Sequence, residues 1–104
     1  MTIEIGAKNM ELTPSLAAYA EEKLGALDRH LEKFELEGKL PLKLRIGRIT
    51  AHHHKGDVYE ASADLALPHA HLHAQEVNED LRAAIDALHD TLAHEIEKYK
   101  AKHS

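Results

Sequence analysis

Three groups of residues in this 104-residue chain have the types and spacing to do chemistry. His69, His71 and His73 form an H-x-H-x-H run. On a strand, where side chains alternate between faces, the three rings would project together and could hold Zn²⁺ or Cu²⁺. No obvious carboxylate stands beside them to complete a metal shell, so they read as exposed polar residues of an open sheet face, and no metal site is assigned. Asp86 and Asp90 are one helical turn apart and imitate a catalytic pair. A solvated helix face suits them better, with Asp86 also one turn from Arg82 and able to pair with it. Lys39, Lys43, Arg45, Arg48 and Lys55 lie between Gly38 and Gly56 with no Asp or Glu among them. Such a segment is either a solvated strand and hairpin tip or a surface for phosphates, since clustered Lys and Arg give salt-sensitive affinity for nucleic acid. There is no cysteine, no suggestive serine, histidine and acid order, and no Gly-rich loop after a strand. The chain is therefore read as a non-enzyme with no cofactor and no small-molecule substrate.

The elements that must carry these residues follow from periodicity. Leu81, Ala84, Ile85, Leu88, Leu92, Ile96 and Tyr99 recur at three- and four-residue steps, the apolar stripe of an amphipathic helix. Asn78 serves as its N-cap, Glu79 and Asp80 favour the positive end of its dipole, and Lys98, Lys100 and Lys102 favour the negative end. A shorter helix starts at Thr13-Pro14, with proline at the first helical position, and is striped by Leu16, Ala20, Leu24, Leu27 and Leu31. These patterns predict helices over about 14–31 and 78–101.

Ile3 and Ile5 alternate with Glu4 in a first strand, where Gly6 suggests a bend or close approach. Leu42–Thr50 makes a second strand whose alternation stumbles at Gly47-Arg48-Ile49, which predicts a bulge. His52–Asp57 forms a hairpin tip. Val58–Leu67 makes a third strand ended by Pro68, and Ala70, Leu72 and Ala74 a short fourth. The fold class is α+β in the order β-α-β-β-β-α, a four-stranded sheet with both helices packed on one face. Ile3, Ile5, Leu24, Leu27, Leu44, Ile46, Ala61, Ala63, Leu65, Ile85, Leu88 and Leu92 should be buried, with Tyr59 and Tyr99 also in the core.

Length bounds the chain to one domain, 1–104, with an ordinary 43% hydrophobic content and no internal repeat or linker. The absence of a signal-like apolar segment or spanning run points to a soluble cytoplasmic protein without a membrane partner. The formal charge of −5 argues mildly against nucleic acid, but it hides the acid-free segment, so the acidic excess falls on the remainder. Ten histidines should carry most of the response to pH.

Four stretches, NMELTPSL at Asn9–Leu16, EKLGALD at Glu22–Asp28, DVYEASADL at Asp57–Leu65 and EDLRAAIDAL at Glu79–Leu88, resemble the ribosome hibernation-promoting factor family. It is also called the ribosome-associated inhibitor or sigma-54 modulation family. The resemblance covers essentially the whole chain in order. It implies a fold similar to double-stranded RNA-binding domains. It also implies a translation regulator that binds 16S rRNA of the small ribosomal subunit in the decoding channel. There it would exclude messenger and transfer RNA and keep idle ribosomes dormant. Ending at Ser104, the chain resembles a short form, with a separate ribosome modulation factor as a conceivable partner.

The implied rRNA contacts come from basic residues on the helices and adjoining loops. Lys23 matches a family lysine, and Lys98, Lys100 and Lys102 match the basic tail of the second helix. With the resemblance in view, Arg45, Arg48, Lys55, Arg82 and His94 complete the phosphate-contacting set. His94 stands where the family tends to carry arginine, Ala26 and Thr91 where it often carries lysine, and Glu95 and Glu97 add acid beside these departures. The rival reading they support is a protein-interaction or metal-buffering module on the same fold that has lost the ribosome.

Overall fold

The structure, a computed structural model, describes residues 1–36, 38–49, 56 and 58–103. Strand β1 (Thr2–Lys8) leads into helix α1 (Pro14–Gly25), followed by two short 3₁₀ helices, Ala26–His30 and Glu32–Glu35. Strands β2 (Pro41–Ile49), β3 (Val58–Leu67) and β4 (Ala70–Asn78) come next, and helix α2 (Leu81–His103) closes the chain. The order is β-α-β-β-β-α, and the sheet runs β1-β2-β3-β4. β1 lies parallel to β2, while β2, β3 and β4 are antiparallel neighbours. The parallel pair arises because α1 carries the chain from the end of β1 back to the start of β2.

One face of the sheet supplies Leu42, Leu44, Ile46, Ala61, Ala63, Leu65 and Ala74 to a single core, into which both helices press their stripes. Leu16, Ala20 and Leu24 of α1 are buried there, as are Leu81, Ala84, Ile85, Leu88, Leu92, Ile96 and Tyr99 of α2. The other sheet face is open. Ile3 and Ile5 are only half-buried, because β1 is an edge strand; Tyr59 is likewise half-buried near the start of β3. Among the described residues no buried side-chain N or O atom lacks a partner. Among the described residues no helix is long and apolar enough to cross a membrane.

Four expectations are corrected. The first helix stops being α-helical at Gly25, a poor helix former, and tightens into 3₁₀ turns that still bury Leu27 and Leu31. Asn78 is the last residue of β4; its Oδ1 accepts from the N–H of Asp80 at 2.8 Å. Asp80 is the residue that caps α2, its Oδ1 accepting from the N–H of Arg82 at 3.0 Å. β2 carries no bulge, since its register with β3 continues unbroken through Gly47, Arg48 and Ile49. The alternation falters at Gly47 for another reason: a Cβ there would meet the carbonyl oxygen of Lys8 at 3.1 Å. The close approach expected at Gly6 is therefore at Gly47; a Cβ on Gly6 would meet nothing within 4 Å.

Candidate nucleic-acid interface

The groove between α1 and α2 carries two cations that are far apart in the chain, Lys23 and Arg82. Lys23, in the last turn of α1, points at α2, where its Nζ is 3.8 Å from Asp86 Oδ1. Tyr19, one turn earlier, donates its hydroxyl to the same oxygen. Arg82, in the first turn of α2, lies across the Tyr19 ring with its guanidinium carbon 4.6 Å from the ring centroid. Its Nη2 donates to Ser15 Oγ at 3.2 Å. The expected Arg82–Asp86 pairing along one helix is thus replaced by contacts across two, because each side chain finds a better-placed partner on α1. The hydrogen bond to Asp86, together with burial and the charge of that carboxylate, pushes the Tyr19 hydroxyl above its ordinary pKa and keeps it a donor.

The far end of α2 splits the basic tail by the helical period, about 3.6 residues per turn. Thr91 donates its hydroxyl to Glu76 of β4 at 2.7 Å, so the flank carrying Thr91, Glu95, Lys98 and Lys102 runs along β4. Glu97 lies 3.4 Å from His30 Nδ1, which places it and Lys100 on the opposite flank, toward the 3₁₀ helix Ala26–His30 that follows α1. Lys98 pairs with Glu95 at 3.4 Å and Lys100 with Glu97 at 3.6 Å, each loosely and near solvent. His94 is exposed on a third side, facing neither flank. His89 sits 3.0 Å from Asp90, and His103 stacks at 4.3 Å on Tyr99.

On the sheet, Arg45 and Arg48 fall on opposite faces, as an odd separation on a strand requires. Arg45 is exposed on the open face between Gly6 of β1 and Ser62 of β3. Lys43 shares that face, between Glu4 and Asp64. Neither Lys43 nor Arg45 makes an ion pair among the described residues. Arg48 turns to the helix-side loop and donates from Nε and Nη2 to the carbonyl of Asn9, at 3.2 and 3.1 Å. Lys55 and the expected hairpin tip with His52, His53 and His54 lie outside the described residues.

The H-x-H-x-H run does not put three rings on one face. His69 occupies the tight turn between β3 and β4 with φ 64°, after Pro68, as in a type II turn. His71 and His73 are on the open face, where His73 Nδ1 lies 2.8 Å from Asp64 Oδ1. Among the described residues no group of three or more His, Cys, Asp or Glu is arranged to hold a metal ion. At the start of the chain, the Met1 ammonium is held by Asp28 and Glu35 and keeps the Asp28 carboxyl below its usual range.

Residues 3–104 match the family model described as sigma 54 modulation protein / S30EA ribosomal protein. A ribosome hibernation promotion factor of Deinococcus radiodurans is 28% identical over 100 residues, which is 96% of this chain and 49% of that protein. A ribosome hibernation promoting factor of Pseudomonas putida is 28% identical over 102 residues, 98% of this chain and 89% of that one. The chain thus spans about half the length of the Deinococcus relative. Among solved structures, the N-terminal domain of Protein Y from Thermus thermophilus superposes with a TM-score of 0.71 at 28% identity, covering 93% of this chain and 94% of that one. A ribosomal subunit interface protein from Coxiella burnetii has the same fold, with a TM-score of 0.79 at 21% identity over 97% and 99% of the two chains.

Proposed function

The chain belongs to the sigma 54 modulation protein / S30EA ribosomal protein family, and from that premise we propose that it is a cytoplasmic ribosome hibernation factor. It binds the small ribosomal subunit in the decoding channel and excludes messenger and transfer RNA by occupying their space, without chemistry. The family match over nearly the whole chain is the observation that carries this reading.

The placement of charge supports the channel in particular. Lys23, Arg82 and Lys100 face one way, Lys98 and Lys102 another, and Lys43 and Arg45 a third, from the open sheet. A protein laid on a duplex by one face gains little from cations elsewhere, whereas a protein enclosed by RNA can use them all. The acidic partners of Lys23, Lys98 and Lys100 hold these cations only through exposed or loose pairs, which are worth little in water and give way readily to phosphate. Arg48 and Lys55 remain in the proposed contact set, Arg48 with part of its fork already given to Asn9.

Steric exclusion makes a direct prediction. Saturating protein should displace labelled messenger and initiator transfer RNA from isolated small subunits, and excess messenger with transfer RNA should displace the protein. If all three bind together without competition, the channel is not its site. A protein that binds no subunit but captures other proteins or divalent metal would favour the rival module.

A further inference from the structure

We infer that Tyr19 is a positioning residue for Arg82, and that Asp86 locks Tyr19 in place, so that Arg82 stands ready for a phosphate. This deepens the ribosome-binding reading and rests on it. Arginine normally loses much rotamer freedom when it binds a ligand, so a side chain already held flat gives up less. Here the guanidinium carbon lies 4.6 Å from the centre of the Tyr19 ring, within cation–π range. One end of the fork is fixed by the 3.2 Å bond from Nη2 to Ser15 Oγ. Nε and Nη1 have no partner among the described residues and remain for a phosphate oxygen.

The ring itself cannot swing away without breaking the hydroxyl's bond to Asp86. Asp86 also draws in the Lys23 ammonium, at 3.8 Å, a distance at which a phosphate competes easily. Four side chains from two helices are thereby linked in series along the seam, Arg82 to Tyr19 to Asp86 to Lys23. Asp86 read from sequence as a solvated acid, and Tyr19 and Ser15 carried no signal of their own.

The experiment is a double-mutant cycle read by binding to isolated small subunits and, in parallel, to a generic duplex RNA, each across a range of salt. Tyr19→Leu and Arg82→Gln should each weaken binding by roughly tenfold and each lower the slope of log affinity against log salt by about one. The double variant should bind no worse than Arg82→Gln alone, because the ring acts only through the arginine. Tyr19→Phe, which keeps the ring but loses the hydroxyl's bond to Asp86, guards against a folding defect in the leucine variant and should lose about threefold, less than leucine. Losses that multiply in the double variant, or a phenylalanine variant as weak as leucine, would overturn the inference. If the wild type binds duplex RNA but not subunits, the ribosomal reading fails while the cycle still judges the positioning of Arg82. If it binds neither, both are wrong.

Discussion

Truncating Ile85 to alanine is expected to lower the free energy of unfolding by about 2–5 kcal/mol, the range for a buried isoleucine cut back in a core that cannot close the gap. Ile85 is 0% exposed, in the middle of the buried stripe of α2. The sheet side of the core offers Ala61, Ala63 and Ala74, with Ala63 directly opposite Ala74 across β3 and β4. Alanine has no rotamer with which to move into a vacancy, so the cavity left by the missing carbons should persist. For a domain of this size each kcal/mol corresponds to roughly 4–8 °C in melting temperature, which makes the effect easy to see. Urea unfolding with an unchanged m-value checks it. A loss under about 0.5 kcal/mol would mean that α2 does not seat on the sheet as described.

The second large effect is on binding. If about four of the proposed cations meet phosphates at once, raising salt from about 50 to about 200 mM should weaken association with the small subunit by roughly a hundredfold. Each phosphate contact adds about 0.7–0.9 to the slope of log affinity against log salt, so the slope itself reports how many contacts exist. Reversing Lys98 and Lys102 to glutamate should weaken binding and flatten that slope. Thermal stability should change little, because both side chains lie on the surface and the Lys98–Glu95 pair is exposed. A flat salt profile, or equal binding by this double variant in a pelleting assay, would remove the tail from the interface.

Much of the fold could be read in the sequence, because burial imposes a period. The stripes of Leu16, Ala20 and Leu24 and of Leu81 through Tyr99 repeat at helical spacing, and each of these residues is buried. What periodicity could not show is which neighbour an element meets. The half-burial of Ile3 and Ile5 depends on β1 being an edge strand, a fact of topology. β4 runs to Asn78 although its second half looks polar, because Glu76 is satisfied by Thr91 on α2 and the open face tolerates any polar residue.

The site was legible only as a set of charges. Arg45 and Arg48 seem one cluster when counted along the chain, yet the alternation of a strand sends them to opposite faces. Lys100 and Lys98 part in the same way on a helix. The linkage of Lys23, Tyr19, Asp86 and Arg82 depends on α1 docking against α2, with Tyr19 and Asp86 67 positions apart, and no local spacing encodes it.

The most direct test of the account is sedimentation of the protein with purified small and large ribosomal subunits on separate sucrose gradients at low salt. The protein should migrate with the small subunit in near one-to-one amount, stay at the top of the gradient with the large subunit, and be released from the small subunit as salt rises. Protein that remains at the top of both gradients at low salt would contradict the account at its centre.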